Sequence, residues 1–146
     1  MARRTFVEPF EDTLQIFNRV IDTTLLRQNG ITVIILADNT AKKLYHPVLA
    51  NPIHKHRTGD DVIITINETI FDQLTPEQKE IVAHQALAYV NYDLEKEKLS
   101  IVKPDVIEHS GVVQRFGIDA VNVLRLSVEA LYQQEESDAV EAEHII

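Results

Sequence analysis

Residues 75–92, TPEQKEIVAHQALAYVNY, decide the fold of this chain. The segment opens like a helix, because Thr75 can cap free backbone amides and Pro76 presets φ at the first helical position. An acidic and an amide side chain then follow in the first turn, where the positive end of the helix dipole favours them. The spacing of the apolar residues predicts an inward face carrying Ile81, His84 and either Leu87 or Ala88.

The middle of this helix differs from a zinc-peptidase motif at two of its three functional positions. Zinc peptidases carry His-Glu-x-x-His on a helix, which places two imidazoles one turn apart with a glutamate as general base. Here His84 fills the first ligand position, Gln85 stands in the glutamate position and Ala88 in the second histidine position. The sequence therefore retains one element of the motif and argues against its chemistry.

Composition indicates a single globular domain. The 146 residues are 45% hydrophobic and 25% charged, and there is no cysteine, which excludes disulfides, thiolate metal sites and cysteine nucleophiles. We expect a reducing compartment, no secretory signal and no membrane span. The net charge of −9 disfavours general nucleic-acid binding, although an acidic mimic of DNA remains an alternative.

The first half of the chain alternates helix and strand signals. Residues 8–28 predict a long amphipathic N-terminal helix that Asn29-Gly30 stops, and residues 31–37 predict an inner strand because they are apolar on both faces. Residues 44–49 can form a short strand, but Pro47 and Pro52 each lack a backbone donor and restrict the segment to an edge strand or a loop. A second firm strand is predicted at 62–67, and a short helical turn leads from it to Thr75.

The second half predicts a short apolar segment at 99–102 and two further helices. One begins at Asp105, where Glu108 completes a capping box, and ends at Gly117. The other spans residues 121–132. We expect one domain over residues 1–134, followed by an acidic, solvated tail over 135–146.

A series of landmarks in this order resembles a metallopeptidase family encoded by bacteriophages and prophages. No single landmark is specific, but their sequence covers residues 30–117. The first landmarks are a strand after a glycine at residues 30–36 and a strand with an Asn-acidic end at residues 64–68. The segment that leads into the central helix follows at residues 71–78. The last two are a Lys-x-Asp element at residues 103–105 and a helix that ends in Arg-aromatic-Gly at residues 113–117.

The resemblance implies an α+β, zincin-like fold: a small twisted sheet of three to four strands packed with about four helices, including the central motif-bearing helix. It also implies metal ligands at His84, at position 88 and at position 104, with the base at position 85. This chain has Ala88, Pro104 and Gln85 at the last three of these positions. The fold should therefore carry over without the activity, and we predict no catalytic residue, no metal and no cofactor.

Two interpretations of the histidines remain open. His84 is either a core residue hydrogen-bonded to a carbonyl or to Tyr89 or Tyr92, or part of a rebuilt metal site. His109 is one candidate for such a site. His54 and His56 are further candidates, since they would share one face if their segment is extended. An acidic residue could supply oxygen, and the candidates are Glu80, Asp105 and Glu108. Residues 54–57, His-Lys-His-Arg, form either a solvated basic loop or a contact for an acidic partner.

Three functions are compatible with these observations. The first is an inactive metallopeptidase-like protein that binds another protein, either itself, a virion component or a host protein, in the virion or in the cytoplasm of an infected bacterium. The second is an active metallohydrolase with a relocated metal site. The third is an acidic, DNA-mimic-type inhibitor.

Overall fold

A computed structural model of the chain describes residues 6–104 and 109–144, with side chains described as far as residue 138. Within these ranges the fold is α+β. Five strands and six α-helices are present, together with one 3-10 turn at Arg27–Asn29. In chain order the elements are α1 (Glu11–Ile21), β1 (Val33–Ala37), β2 (Tyr45–Leu49), α2 (Pro52–Thr58), β3 (Val62–Ile66), α3 (Glu68–Phe71), α4 (Pro76–Ala88), β4 (Val90–Asp93), β5 (Lys98–Ile101), α5 (Ser110–Phe116) and α6 (Ile118–His144).

β3 is the centre of the main sheet. It pairs in parallel with β1 and antiparallel with β2, giving the order β1-β3-β2. Val62, Ile64 and Ile66 on one face of β3 are completely buried. The prediction that residues 31–37 form an inner strand is wrong, because β1 lies at the edge of the ladder. Val7 bridges to Ala37 at this edge, and α1 also contacts the strand. Because these contacts cover β1, an edge strand can be as apolar as an inner one.

Pro47 is tolerated in β2 because of its register. Leu44 accepts a backbone hydrogen bond from Asn67, and Ala50 donates one to Asp61, so the backbone N–H and C=O groups of the even-numbered residues point toward β3. The backbone nitrogen of Pro47 therefore points away from β3, where the ladder needs no donor, as the sequence predicts for an edge strand. β4 and β5 form a separate two-stranded hairpin. β5 contacts β2 but does not pair with it as a fourth strand of the main sheet.

The N-terminal helix is shorter than the predicted 8–28. It ends at Ile21, where the hydroxyls of Thr23 and Thr24 donate to the carbonyls of Val20 and Ile21. Short polar side chains offer carbonyls such alternatives to continued helix. The prediction that Asn29-Gly30 stops this helix is wrong, because Gly30, with a positive φ of 74°, ends only the 3-10 turn Arg27–Asn29.

The central helix begins as predicted but ends earlier. Thr75 and Gln78 form a reciprocal capping box at the start of α4. The helix ends at Ala88, and residues that were expected to continue it enter β4 instead. Apolar side chains of α4 join those of α1 and α3 in one core, which includes Phe17, Phe71, Ile81, Val82 and Ala86. The rings of Phe17 and Phe71 pack with centroids 5.7 Å apart.

The C-terminal helices partly follow expectation. α5 ends before Gly117 as predicted, whereas its predicted start at Asp105 with Glu108 lies outside the described residues. α6 begins three residues earlier than the predicted 121 and continues to His144, so it runs on through the segment expected as a tail. Among the described residues, no helix combines the length and apolarity that crossing a bilayer needs.

A buried carboxylate joins the start of α1 to the sheet. Glu68 is 3% exposed and accepts a hydrogen bond from the backbone amide of Phe10 at 2.8 Å. Phe10 is the N-cap residue of α1 and provides no side-chain cap of its own. Glu68, 58 residues away in sequence, thus supplies the acceptor and the negative charge that the N-terminus of α1 lacks locally.

We expect Glu68→Ala to lower the free energy of unfolding by about 2 kcal/mol, because it leaves a partly buried amide without its charged acceptor. Glu68→Gln keeps an acceptor oxygen and should cost less than half as much. Urea denaturation followed by circular dichroism measures both. Equal losses for the two variants would show that the hydrogen bond is not what Glu68 contributes.

Candidate functional site

α4 divides the motif positions between two environments. Gln85 is 8% exposed and lies among the buried residues of the helix. His84 and Ala88, one turn apart, are only half-buried on a neighbouring face. The predicted inward face is therefore confirmed for Ile81 and Leu87, which are buried, whereas His84 is only partly covered. The best-buried side carries Ile81, Val82, Ala83 and Ala86, because that side forms the core with α1.

α5 covers the face that carries His84. The Phe116 ring packs edge-on against the His84 ring, with centroids 5.2 Å apart. At the other end of α5, the His109 ring packs in the same way against Tyr89, at 4.5 Å. These two contacts set α5 antiparallel to the second half of α4. The predicted hydrogen bond from His84 to Tyr89, Tyr92 or a carbonyl is wrong: no hydrogen bond among the described residues involves the His84 ring.

The surroundings of His84 favour the neutral imidazole. Burial lowers its pKa, and the positive charge of Arg115 lowers it further, while Glu80 acts in the opposite direction. Glu80 therefore lies close enough to affect the ring electrostatically. His84 is a neutral, half-covered imidazole packed on an aromatic ring.

The other histidines do not assemble around His84. His109 is buried, and its Nε2 lies 3.0 Å from the carbonyl oxygen of Val102, which fixes the start of α5. The seven residues of α5 separate it from the Phe116 contact by about 10 Å. In the described ranges, no three His, Asp or Glu residues are grouped so that they could hold a metal ion. Asp105 and Glu108 lie outside those ranges.

Residues 54–57 are helical, which removes the geometry expected for His54 and His56. They belong to α2, which Asn51 caps, and positions two apart on a helix point in widely different directions. His54 lies 3.1 Å from Asp60, and Lys55 forms an ion pair with Asp61 at 2.8 Å. The extended conformation in which the two histidines would share a face is therefore not the one that the segment adopts.

Pro104, at the third ligand position of the resemblance, is half-buried beyond the end of β5. Its ring carries no donor atom for a metal. Ala88 packs against the hydrophobic core and likewise offers only a methyl group.

Gln85 opens into a cavity of about 750 Å³, which the sequence did not predict. Its walls come from β2, α5 and α6, and they are largely apolar, with Leu44, Val113, Val121 and Val128 among them. Arg125 and Glu129 of α6 are also part of the lining. The apolar period of α6 was visible in the sequence, but the cavity depends on how far α6 lies from β2, which periodicity does not encode.

Tyr132 fixes the middle of α6 to the loop after β1. Its hydroxyl donates to the carbonyl of Ala41 at 3.3 Å, and the Asn67 amide donates to the same carbonyl at 2.9 Å. Burial raises the pKa of Tyr132 to about 12. The hydroxyl therefore stays protonated and can keep donating throughout the physiological pH range.

We expect an NMR titration to place the His84 pKa below the ordinary value of about 6.5. Arg115→Gln should raise this pKa, because it removes a repelling charge, and Glu80→Gln should lower it. Since the folded pKa is the lower one, the unfolded chain protonates first. The stabilising contribution of neutral His84 is thus complete above about pH 6.5 and declines as the pH falls toward the folded pKa. A His84 pKa above 6.5, or shifts of the opposite sign in the two variants, would contradict this description.

Comparison with known proteins identifies the family. The family described as "Putative phage metallopeptidase" matches residues 11–134, which is most of the chain. No curated protein and no solved structure matches this chain. The match includes α4 with His84 and Gln85, the cavity beside it and α5. Since the match extends from α1 well into α6, the chain belongs to the phage metallopeptidase family.

Proposed function

We propose that this protein is a catalytically inactive member of its family that acts by binding another protein. The observation that carries the proposal is the identity of the side chains at the motif positions. Gln85, Ala88 and Pro104 stand where the resemblance implies a base and two metal ligands. The framework around them is intact, with a capped α4, a central β3 and a continuous core.

These residues do not fit a catalytic zinc ion. Such an ion needs three protein ligands and an open position for water. His84 is the one remaining ligand of the motif, and Phe116 packs against its ring. The second chemical requirement is a base for the metal-bound water, and a carboxamide at position 85 has no basic group for that role. No step of a hydrolytic reaction can therefore be assigned to these side chains.

Protein binding is supported by what the chain keeps. A large apolar cavity remains open beside Gln85, and several large apolar side chains elsewhere are more than half exposed, including Phe10, Ile53 and Leu94. Exposed apolar surface often marks interaction sites. The partner would be a virion component or a host protein, met in the virion or in the cytoplasm of an infected bacterium.

The first test is metal content. We expect protein purified without added metal to contain less than about 0.1 equivalent of zinc, iron or manganese by elemental analysis, because one imidazole holds such ions weakly. His84→Gln is the matched control and should not change the metal content. Stoichiometric metal that is lost in His84→Gln, together with peptide hydrolysis, would overturn the proposed inactivity.

The second test is partner capture, followed by reconstitution from purified components. We expect a protein partner from infected cells to bind in a one-to-one or similarly fixed ratio and to remain bound above about 0.3 M salt, where exposed charges are heavily screened. An unrelated bait of similar net charge controls for nonspecific binding. Loss of every partner at this salt concentration would instead support the acidic DNA-mimic alternative. Failure to reconstitute any complex would overturn the proposed binding role.

A further inference from the structure

A second cavity, of about 510 Å³, follows the cavity beside Gln85 along α6. The α6 residues that line the first cavity include Ile118, Asn122, Arg125 and Glu129, and those that line the second include Tyr132 and Glu136. These positions recur at intervals of three or four residues, so they lie on one side of the helix. The segment 39–45 contributes to the lining of both cavities. We call the two together the α6 groove, which is about 27 Å long from residue 118 to residue 136.

The two ends of the α6 groove differ in polarity. The first cavity is walled largely by apolar side chains such as Val121 and Val128. The second has a mostly polar lining, which includes Glu135 and Glu136 together with Lys42. A ligand that fills the whole groove must therefore present apolar groups at one end and polar or charged groups at the other.

α6 is an acidic helix. Between residues 118 and 138 it carries five acidic side chains and a single basic one, Arg125. None of these six forms an ion pair with any residue that the structure describes. Glu129 and Glu136 lie two turns apart on the side that lines the groove. Since the whole chain carries a net charge of −9, its field attracts a cationic partner and repels an anionic one.

The walls of the first cavity favour a helix as the occupant. Among the described residues that line it, Tyr45 alone belongs to a strand, whereas α5 and α6 supply most of the others. An added strand gains its affinity from main-chain hydrogen bonds to a sheet edge, but an amphipathic helix inserts apolar side chains at intervals of three or four residues into a groove. A volume of about 750 Å³ is in the range of cavities that enclose whole small ligands, so it has room for more than one aliphatic side chain.

We propose that the α6 groove binds a basic amphipathic helix of the partner protein. This inference rests on the proposed function and names the chemistry of the partner. Aliphatic side chains of the partner helix occupy the first cavity, and its lysines or arginines lie against Glu129 and Glu136. Burial of the aliphatic side chains supplies most of the affinity and is insensitive to salt, whereas the acidic side of α6 selects a cationic partner.

The direct test uses a fluorescein-labelled peptide of leucine and lysine with leucines at helical spacing. A length of about 18 residues makes its helix as long as the groove. By fluorescence anisotropy we expect it to bind at least tenfold tighter than a peptide of the same composition in scrambled order, and tenfold tighter than a leucine–glutamate peptide of the same spacing. Ile118→Glu should weaken binding about tenfold, because it places a charge at the apolar cavity.

Leu126→Glu is the matched control for Ile118→Glu. Leu126 is 58% exposed on the same helix, Ile118 is 53% exposed, and Leu126 is not among the residues that line the groove. The control variant should bind the leucine–lysine peptide like the unchanged protein, and circular dichroism should show both variants folded. Equal peptide affinity of the two variants, or equal affinity for the scrambled peptide, would overturn the proposal.

The charge of the groove is tested by a pair of double variants. Glu129→Lys with Glu136→Lys should weaken binding of the leucine–lysine peptide about fivefold, because two attractions become repulsions. Asp119→Lys with Asp138→Lys changes the net charge equally at residues that do not line the groove, and it should have a smaller effect. Equal losses in the two double variants would show that net charge alone attracts the peptide, and would overturn the assignment of these residues.

The partner captured from infected cells separates this inference from the proposed function. The leucine–lysine peptide should displace that partner, and Ile118→Glu should bind the partner about tenfold more weakly than Leu126→Glu does. A partner that is not displaced, or that binds both variants equally, would overturn the groove as its site and leave the proposed binding role intact. Failure to reconstitute any partner complex would overturn both.

Discussion

Burial of one side of α4 against α1 and the central sheet is the constraint on which the rest of this structure depends. Val82, Ala83 and Ala86 are completely buried there, in one core with Phe17 and Phe71. This contact fixes the rotation of α4 about its axis. Once the rotation is fixed, Gln85 must face the cavity and His84 must face α5. The environments of the motif positions are thus a consequence of core packing.

The same constraint explains why the fold needs no metal ion to hold its helices together. Zinc ligands contribute folding energy when little else holds a domain together. Here a continuous core extends from α1 through β3 to α6, and Ala88 packs against it. α5 adds the contacts of Phe116 with His84 and of His109 with Tyr89. Aromatic packing of this kind stabilises the helix pair without requiring an ion.

Sequence patterns predicted those parts of the fold that depend on local chemistry. The start of α4 at Thr75 and Pro76 and the edge position of Pro47 each follow from one or two residues whose physics is specific. The helix ends at Ile21 and Ala88 were missed, because helical apolar spacing continues past both points and tertiary contacts decide where the helix stops. The strand character of residues 90–93 appears only through their pairing with β5.

The candidate site was predictable in its identities but not in its geometry. That Gln85, Ala88 and Pro104 differ from the motif can be read directly. That Phe116 packs on His84, 32 positions earlier in the chain, requires the packing of two helices, and the cavity beside Gln85 requires the placement of α6. Both are long-range properties, which residue periodicity cannot encode.

The position of Pro47 has one further consequence. An open strand edge is a template on which other extended chains can add, and it is a common starting point of aggregation. On the outer edge of β2 the middle residue has no amide hydrogen, so an incoming strand finds an interrupted row of donors. The outer edge of β2 is therefore a poorer template for the addition of a further strand than a strand with a complete row of donors would be.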